Sequence, residues 1–422
     1  MQDLNRVAAK EKVVLAVVDQ RGRDGWLPQE IAQELESCVE ACQGKVVETV
    51  LCRADKPNPA YLIGKGKVAE IAALCADQQI DTVVFSANLK GSQQRNLEEM
   101  LDVKTIDYSQ LILDIFARRA TSQEGKMQVE LAQLEYLLPR LVGKGIALSR
   151  LGGGIGTLGP GETKLEIDRR RIAQRIAKLQ RALTEVAATR AVKRKKRKDK
   201  GVPLISLVGY TNAGKSTLLN ALTQAGQETR DGLFTTLDSL ARQLVLTNHR
   251  KVVLSDTVGF MHDLPHHLIE AFQATLEEVC EADILLHVLD ISHPHFMHLH
   301  QSVMRVLSEL GAENKIMITA LNKIDKLSDQ NMLKGKCGRF DNAVAISAQT
   351  GENIPTLLDR ITAELISLNV DIDVLIPISR MDLVSRAHNE GQVYSVKYYN
   401  DSIHIRASLP QKLAGLFFKE SN

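Results

Sequence analysis

Apolar and polar positions follow different rhythms in successive parts of the chain. Residues 12–18 (KVVLAVV), 45–51 (KVVETVL), 82–86 (TVVFS) and 103–107 (VKTID) are short runs rich in β-branched side chains, separated by stretches of helical period such as 27–42. That alternation predicts a small, mainly parallel α/β subdomain over residues 1–120. The rhythm then becomes a heptad. Met127, Leu131, Leu134, Leu138 and Leu141 recur at spacings of 4-3-4-3, and Leu165, Ile172, Ile176, Leu179, Leu183 and Val186 continue the pattern beyond a glycine-rich stretch. Two such helices joined by one loop predict an antiparallel helical hairpin. Its second helix, from about 162 to 190, would be roughly 40 Å long at 1.5 Å per residue. The basic run that follows reads as a linker, closing a region of residues 121–200.

A second α/β pattern occupies 201–367. LISLVG, KVVLSD, ILLHVLD, KIMITALNK and AVAIS are five strand candidates separated by helical stretches, as in a doubly wound sheet. The last segment, 368–422, predicts a small α+β domain with strands in VLIPI, QVYSVKYY and SIHIRASL, the last two separated by Asn400 and Asp401.

Composition narrows the class. A chain of 422 residues with 44% hydrophobic and 25% charged residues fits a soluble multidomain protein. Neither a membrane-length apolar run nor the apolar core of a signal peptide is present, which predicts a cytoplasmic location. Six cysteines without a CxxC pair predict reduced thiols, not a disulfide framework or zinc knuckle. The net charge of +2 is uninformative, but residues 190–200 hold eight lysines and arginines against one aspartate. Such a block is either solvated or a strip for phosphates.

Two glycine loops compete for a nucleotide. Gly154, Gly156 and Gly159 spell GxGxxG, yet a dinucleotide loop must follow a strand, and this one is reached from a helix. GYTNAGKST at 209–217 meets its requirement, with the strand LISLV before it and the helix start TLLNAL after it. Gly209 and Gly214 let the backbone of Tyr210, Thr211, Asn212 and Ala213 curl so that its N–H groups converge on phosphate oxygens. Lys215 would reach the β- and γ-phosphates, Ser216 would give its hydroxyl to Mg²⁺, and Thr217 completes the motif.

Three further strand ends extend the site. Asp256-Thr-Val-Gly259 is a DxxG, in which Asp256 serves Mg²⁺ and the Gly259 N–H meets the γ-phosphate. Asn322-Lys-Ile-Asp325 supplies a carboxylate that accepts two hydrogen bonds from guanine, which adenine cannot offer, so the wrong base would leave it unpaired. Lys323 would lie along the base, Asn322 would brace the phosphate loop, and the Ser347-Ala348 backbone would meet the guanine oxygen. This ordered set predicts a Mg²⁺-dependent GTPase cycling between GTP and GDP. A switch threonine should lie in LFTTLDS (233–239), with Thr235 and Thr236 both candidates. Phe260 follows DxxG where many GTPases place a water-orienting glutamine, so hydrolysis should be slow without a partner. Asn212 in GxxNxGKS is similar to the asparagine that coordinates an activating K⁺ in some GTPases; the bland alternative is a loop asparagine bonded to backbone.

GYTNAGKSTL, LFTTLDS, DTVGFMHDLPHHLIEAFQATLEEV and HVLD resemble the HflX family of GTPases. So do LILDIFARRATSQEGKMQVELAQLEYLLPRLVG (111–143), RLGGGIGTLGPGETKLEIDRRRI (150–172) and PAYLIGKGKVAEI (59–71). The resemblance covers residues 12–365 and is weaker over the C-terminal tail. It implies a monomeric cytoplasmic protein without stable membrane association, which binds the large (50S) ribosomal subunit in its GTP form. Family members are linked to splitting stalled or stressed ribosomes, with hydrolysis stimulated by the ribosome. The family's FATLD threonine falls on Thr236, making it a Mg²⁺ ligand beside Ser216 and Asp256. Tyr108 and Leu158 stand where the family has arginine, Thr235 where it has alanine and Gln349 where it has lysine.

Eight glycines between Gly143 and Gly161, with Gly152, Gly153 and Gly154 consecutive, make a loop of little bulk. Lys144, Arg150 and Lys164 surround it with charge, a composition suited to close approach to RNA phosphates; the alternative is a long disordered loop. Arg194 and Lys195 in the basic block would add salt-sensitive phosphate contacts. The histidines of 292–300 lack a cysteine or a fixed second pair that would mark a metal site. A GTP switch for a protein partner, or a second, ATP-using activity in the N-terminal region, are the other readings the residues permit.

Overall fold

A computed structural model describes residues 10–19, 26–54, 56–141, 160–223, 240–248, 250–261, 273–327, 335–336 and 338–421, without the side chains of 160–165 and 273–275. The described residues form two compact units. The first takes those up to Ala187 together with Gln273; the second takes the rest.

In the first unit, β1 (Lys12–Asp19), β2 (Lys45–Arg53), β3 (Thr82–Phe85) and β4 (Lys104–Ile106) form a parallel sheet of order β2-β1-β3-β4. Helices α1 (Pro28–Ala41), α2 (Lys65–Gln78), α3 (Gly91–Leu101) and α4 (Tyr108–Arg119) separate or follow the strands. The four strands are those the β-branched runs predict. Central β1 is buried along nearly its whole length, which is why it reads as an unbroken apolar run. Val14, Ala16, Ile71, Val83, Phe85 and Leu97 make the center of one core.

Helix α5 (Gln123–Leu137) begins at Ser122, whose hydroxyl accepts from Gly125 N at 2.9 Å. It ends in a 3-10 turn, Leu138–Leu141, which contains Pro139. Helix α6 runs from Pro160 to Asp199. Its heptad positions Ile172, Ile176, Leu183 and Val186 are half-buried and Leu179 is buried, so the stripe does face protein. Arg175 forks onto Glu130 at 2.6 and 2.7 Å, and Gln180 donates to Glu135 at 3.3 Å. Both pairs are 45 residues apart. A constant offset means the contacts advance in the same sense along both helices, whereas an antiparallel hairpin would pair rising with falling numbers. The described contacts therefore differ from the hairpin the heptads predict. α5 buries Val129, Leu131, Ala132 and Tyr136 and packs along α4, leaving its outer side chains to reach α6.

The basic run also departs from expectation. It continues α6 instead of forming a linker, because lysine and arginine are good helix formers. Helical structure ends just before Gly201, at φ 67°, and Pro203. Arg190 and Arg194 both meet Glu277, at 3.7 and 3.1 Å, and Lys198 meets Glu281 at 2.5 Å.

In the second unit β5 (Leu204–Val208), β6 (Leu240–Val245), β7 (Lys251–Asp256), β8 (Ile284–Asp290), β9 (Ile316–Asn322) and β10 (Ala343–Ala345) form one sheet of order β10-β9-β8-β5-β7-β6. All neighbours are parallel except β6, which runs antiparallel to β7 at the edge. The five predicted strands are present, and β6 is an addition. Helices α7 (Lys215–Thr223), α8 (Gln273–Glu281), α9 (Phe296–Glu309) and α10 (Ile354–Ser367) accompany them. Ile205, Leu207, Leu218, Leu286, Val288, Leu357 and Ile361 lie in the core on one face.

The chain then forms β11 (Asn369–Pro377), α11 (Met381–Glu390), β12 (Gln392–Tyr398), β13 (Ser402–Pro410) and α12 (Gln411–Glu420). The sheet is antiparallel, of order β11-β13-β12, and Ile372, Ile405, Leu409 and Phe417 anchor its own core. No helix among the described residues is long and apolar enough to cross a membrane. The described cysteines, Cys38, Cys42, Cys52, Cys75 and Cys280, are free thiols.

Candidate nucleotide site

The loop between β5 and α7 takes its shape from two glycines. Gly214 has φ 95°, and a Cβ there would lie 2.2 Å from Asn322 Nδ2; at Gly209 a Cβ would lie 2.3 Å from Val288 O. Larger residues would push the loop off the neighbouring strands. Lys215, the first residue of α7, is buried, and its Nζ arches back to donate to Gly209 O at 3.0 Å and Tyr210 O at 2.8 Å. Burial lowers its pKa to about 8, against the opposing pull of Asp256.

Asp256 ends β7 fully buried, and Ser216 Oγ donates to its Oδ2 at 2.7 Å. A hydroxyl beside a carboxylate is a hard-oxygen pair of the kind Mg²⁺ takes, so these residues fit the ion. Beyond DxxG the chain zips onto the phosphate loop. Phe260 N donates to Gly209 O at 3.1 Å, and Thr211 N donates to Phe260 O at 2.8 Å. The Phe260 ring is buried, with 2% of the residue exposed. Gly259 is equally constrained, since a Cβ would meet Thr211 Cγ2 at 2.7 Å and Lys215 Nζ at 2.9 Å.

The third and fourth motifs close on the same loop. Asn322, at the end of β9, donates from Nδ2 to Ala213 O at 2.8 Å and accepts from Ala348 N at 2.9 Å. One side chain thus braces the phosphate loop against the Ser347-Ala348 turn. Ser347 Oγ donates to Asp325 Oδ1 at 2.5 Å, fixing the carboxylate expected at guanine. Lys323 has φ 65°, and its Nζ pairs with Asp290 Oδ2 at 2.7 Å. Asp290 was not singled out as a site residue; its place at the end of β8, level with Asn322, was the available signal. Asn212 is exposed at φ 59°, and Thr217 is half-buried in α7.

Four sequence-separated segments therefore meet at one end of one sheet. Profiles of known families match along the chain. They are the "GTP-binding GTPase N-terminal" (29–117), the "GTP-binding GTPase Middle Region" (119–197), the "50S ribosome-binding GTPase" (204–323) and the "HflX C-terminal domain" (332–415). A GTPase HflX from Caldanaerobacter subterraneus subsp. tengcongensis is 43% identical over 409 residues, 97% of this chain and 93% of the relative. The chain belongs to the HflX family of GTPases. The Escherichia coli K12 GTPase HflX is 42% identical over 334 residues, 79% of this chain and 78% of that one. Among solved structures, one described as the SsGBP–GDP complex is 27% identical with a TM-score of 0.47, over 84% of this chain and 98% of that chain. As an HflX GTPase the chain hydrolyses GTP, and its family uses Mg²⁺ with the nucleotide.

Thr236, Lys144, Arg150, Gly152, Gly153 and Gly154 lie outside the described residues, as does the side chain of Lys164. Arg194 is held by Glu277, whereas Lys195, one position on, is exposed. A buried network that no sequence motif signals sits in the first unit. Asp107 accepts from Leu89 N, Gln110 N, Tyr136 Oη and Arg140 Nη2, all at 2.8–3.0 Å. The Arg140 guanidinium also lies 3.4 Å from the center of the Tyr136 ring, and burial followed by Asp107 pushes the Tyr136 pKa up.

Proposed function

We propose that this HflX GTPase binds the large (50S) ribosomal subunit in its GTP form and splits or rescues stalled or stressed ribosomes, with its hydrolysis stimulated by the ribosome. The observation that carries the reading is Phe260. The residue after DxxG is buried and tied to the phosphate loop by its backbone, so it offers no polar atom to an attacking water. A guanine-nucleotide site built this way depends on a partner for speed. The match of residues 204–323 to a 50S ribosome-binding GTPase supports the large subunit as that partner. The protein acts in the cytoplasm as a monomer.

In this reading Gly209 to Thr217 cradle the phosphates, and Lys215 leaves the carbonyls of Gly209 and Tyr210 for the β- and γ-phosphates. Asp325, oriented by Ser347, checks the base; Asn322 and Ala348 hold the two halves of the pocket in register. Ser216, Thr236 and Asp256 would hold Mg²⁺, which neutralises charge developing on the phosphates. Asn212 is the candidate ligand for an activating K⁺, so exchange of K⁺ for Na⁺ should slow GTP turnover, and equal rates in the two salts would remove that ion. Lys144, Arg150, Lys164 and Lys195 with the glycines of 152–154 would contact RNA, while Arg194 would first have to release Glu277. The domains proposed to divide these tasks are 1–120, 121–200, 201–367 and 368–422.

The test is GTP turnover by the purified chain alone and with purified large subunits. The reading expects slow turnover alone and at least a tenfold rise with subunits; equal rates would overturn it.

A further inference from the structure

Resting on the GTP site above, we infer that the Thr211 hydroxyl hydrogen-bonds the γ-phosphoryl group during hydrolysis, at the end of the substrate where Phe260 supplies no polar atom.

Thr211 belongs to the phosphate loop and is buried, with 7% of the residue exposed. Its Oγ1 has no hydrogen-bond partner among the described residues. Buried hydroxyls are nearly always bonded, so one left open inside a binding loop points to a partner that arrives with the ligand. Its neighbours suggest which part of the ligand. A Cβ built on Gly259 would touch Thr211 Cγ2 at 2.7 Å, Thr211 Cα at 2.8 Å and Lys215 Nζ at 2.9 Å, so Thr211 adjoins both Gly259 and the Lys215 ammonium. Gly259 and Lys215 are the two groups the motifs assign to the γ-phosphate. Thr211 is further fixed by its own N–H, which donates to Phe260 O at 2.8 Å, so the residue that fails to offer a side-chain donor holds the backbone of the one that does. The Ser216 hydroxyl, at the start of α7, is already turned to Asp256.

In the reaction a water oxygen bonds to the γ-phosphorus as the bond to the β–γ bridging oxygen breaks. The electron pair leaves with GDP, and the water proton passes to the γ-phosphate oxygens. Thr211 adds and removes no proton; it holds the γ-phosphoryl group in line.

The experiment compares Thr211→Val, which keeps the shape and loses the hydroxyl, with Thr211→Ser, which keeps the hydroxyl. GTP turnover and GDP affinity are measured on both and on the unsubstituted chain. The inference expects Thr211→Val to lower kcat about 10- to 100-fold, the scale of losing one transition-state hydrogen bond. GDP affinity should stay within about twofold, and Thr211→Ser should retain most of the rate. Equal turnover of the valine variant, an equal loss in the serine variant, or loss of GDP binding by the valine variant would each overturn it. An unsubstituted chain that binds no guanine nucleotide would overturn the site reading as well, and is distinguished by its own GDP titration.

Discussion

Lys215 shows how one side chain carries the physical logic of the site. In this fold its ammonium is bonded to two carbonyls and buried, and burial lowers the pKa from 10.5 to about 8. The charged form is thus less favoured in the folded chain than in the unfolded one. Stability of the fold therefore rises with pH between about 8 and 10.5, where the unfolded state holds more of the proton. Phosphates reverse the balance, because an anion against the ammonium favours charge. GDP binding should then take up protons above pH 8, and affinity should fall by at most about tenfold per pH unit there. Calorimetry at pH 8.5 in two buffers of different ionisation heat measures the uptake. Zero proton uptake would contradict the burial of an ammonium at this point.

Elements were legible where burial made them simple. The parallel strands are covered on both faces, so β5 and β8 read as nearly unbroken apolar runs and their ends could be numbered from sequence. β6 escaped because LARQLV is an edge strand that buries few positions and mixes polar with apolar residues. The heptads of α5 and α6 located an apolar face on each helix without naming its partner, and α4 claims much of α5. The basic block at 190–199 is compatible with either a linker or a helix, and its partners Glu277 and Glu281 lie some eighty residues on. Asp107 was illegible for a related reason, since its partners Tyr136 and Arg140 lie 29 and 33 residues away at unremarkable helical spacing. Asp107 is fully buried, so Asp107→Ala would remove a buried acceptor from the Tyr136 hydroxyl and from the largely covered Arg140, which keeps the carbonyls of Tyr136 and Leu89. The expected cost is about 2–4 kcal/mol of stability in the first unit. Thermal or denaturant unfolding measures it, and a change below about 0.5 kcal/mol would show that the network contributes little.

At the scale of the whole molecule, the two compact units meet in sequence within one helix, α6, at Ala187 and Ala188. In sequence, the glycine-rich stretch of 143–161 runs into the start of that helix, and the nucleotide loop follows its end. Under the proposed function this order would link phosphate to RNA, and the nucleotide would then have to change the affinity for the subunit. Contacts through the basic residues would also make binding weaken steeply with salt. The most direct measurement is sedimentation of purified large ribosomal subunits with the chain, in a non-hydrolysable GTP analogue and separately in GDP. The account predicts co-sedimentation with the analogue, about tenfold or more loss with GDP, and release as salt rises. Equal binding in both nucleotides, or none in either, would contradict it.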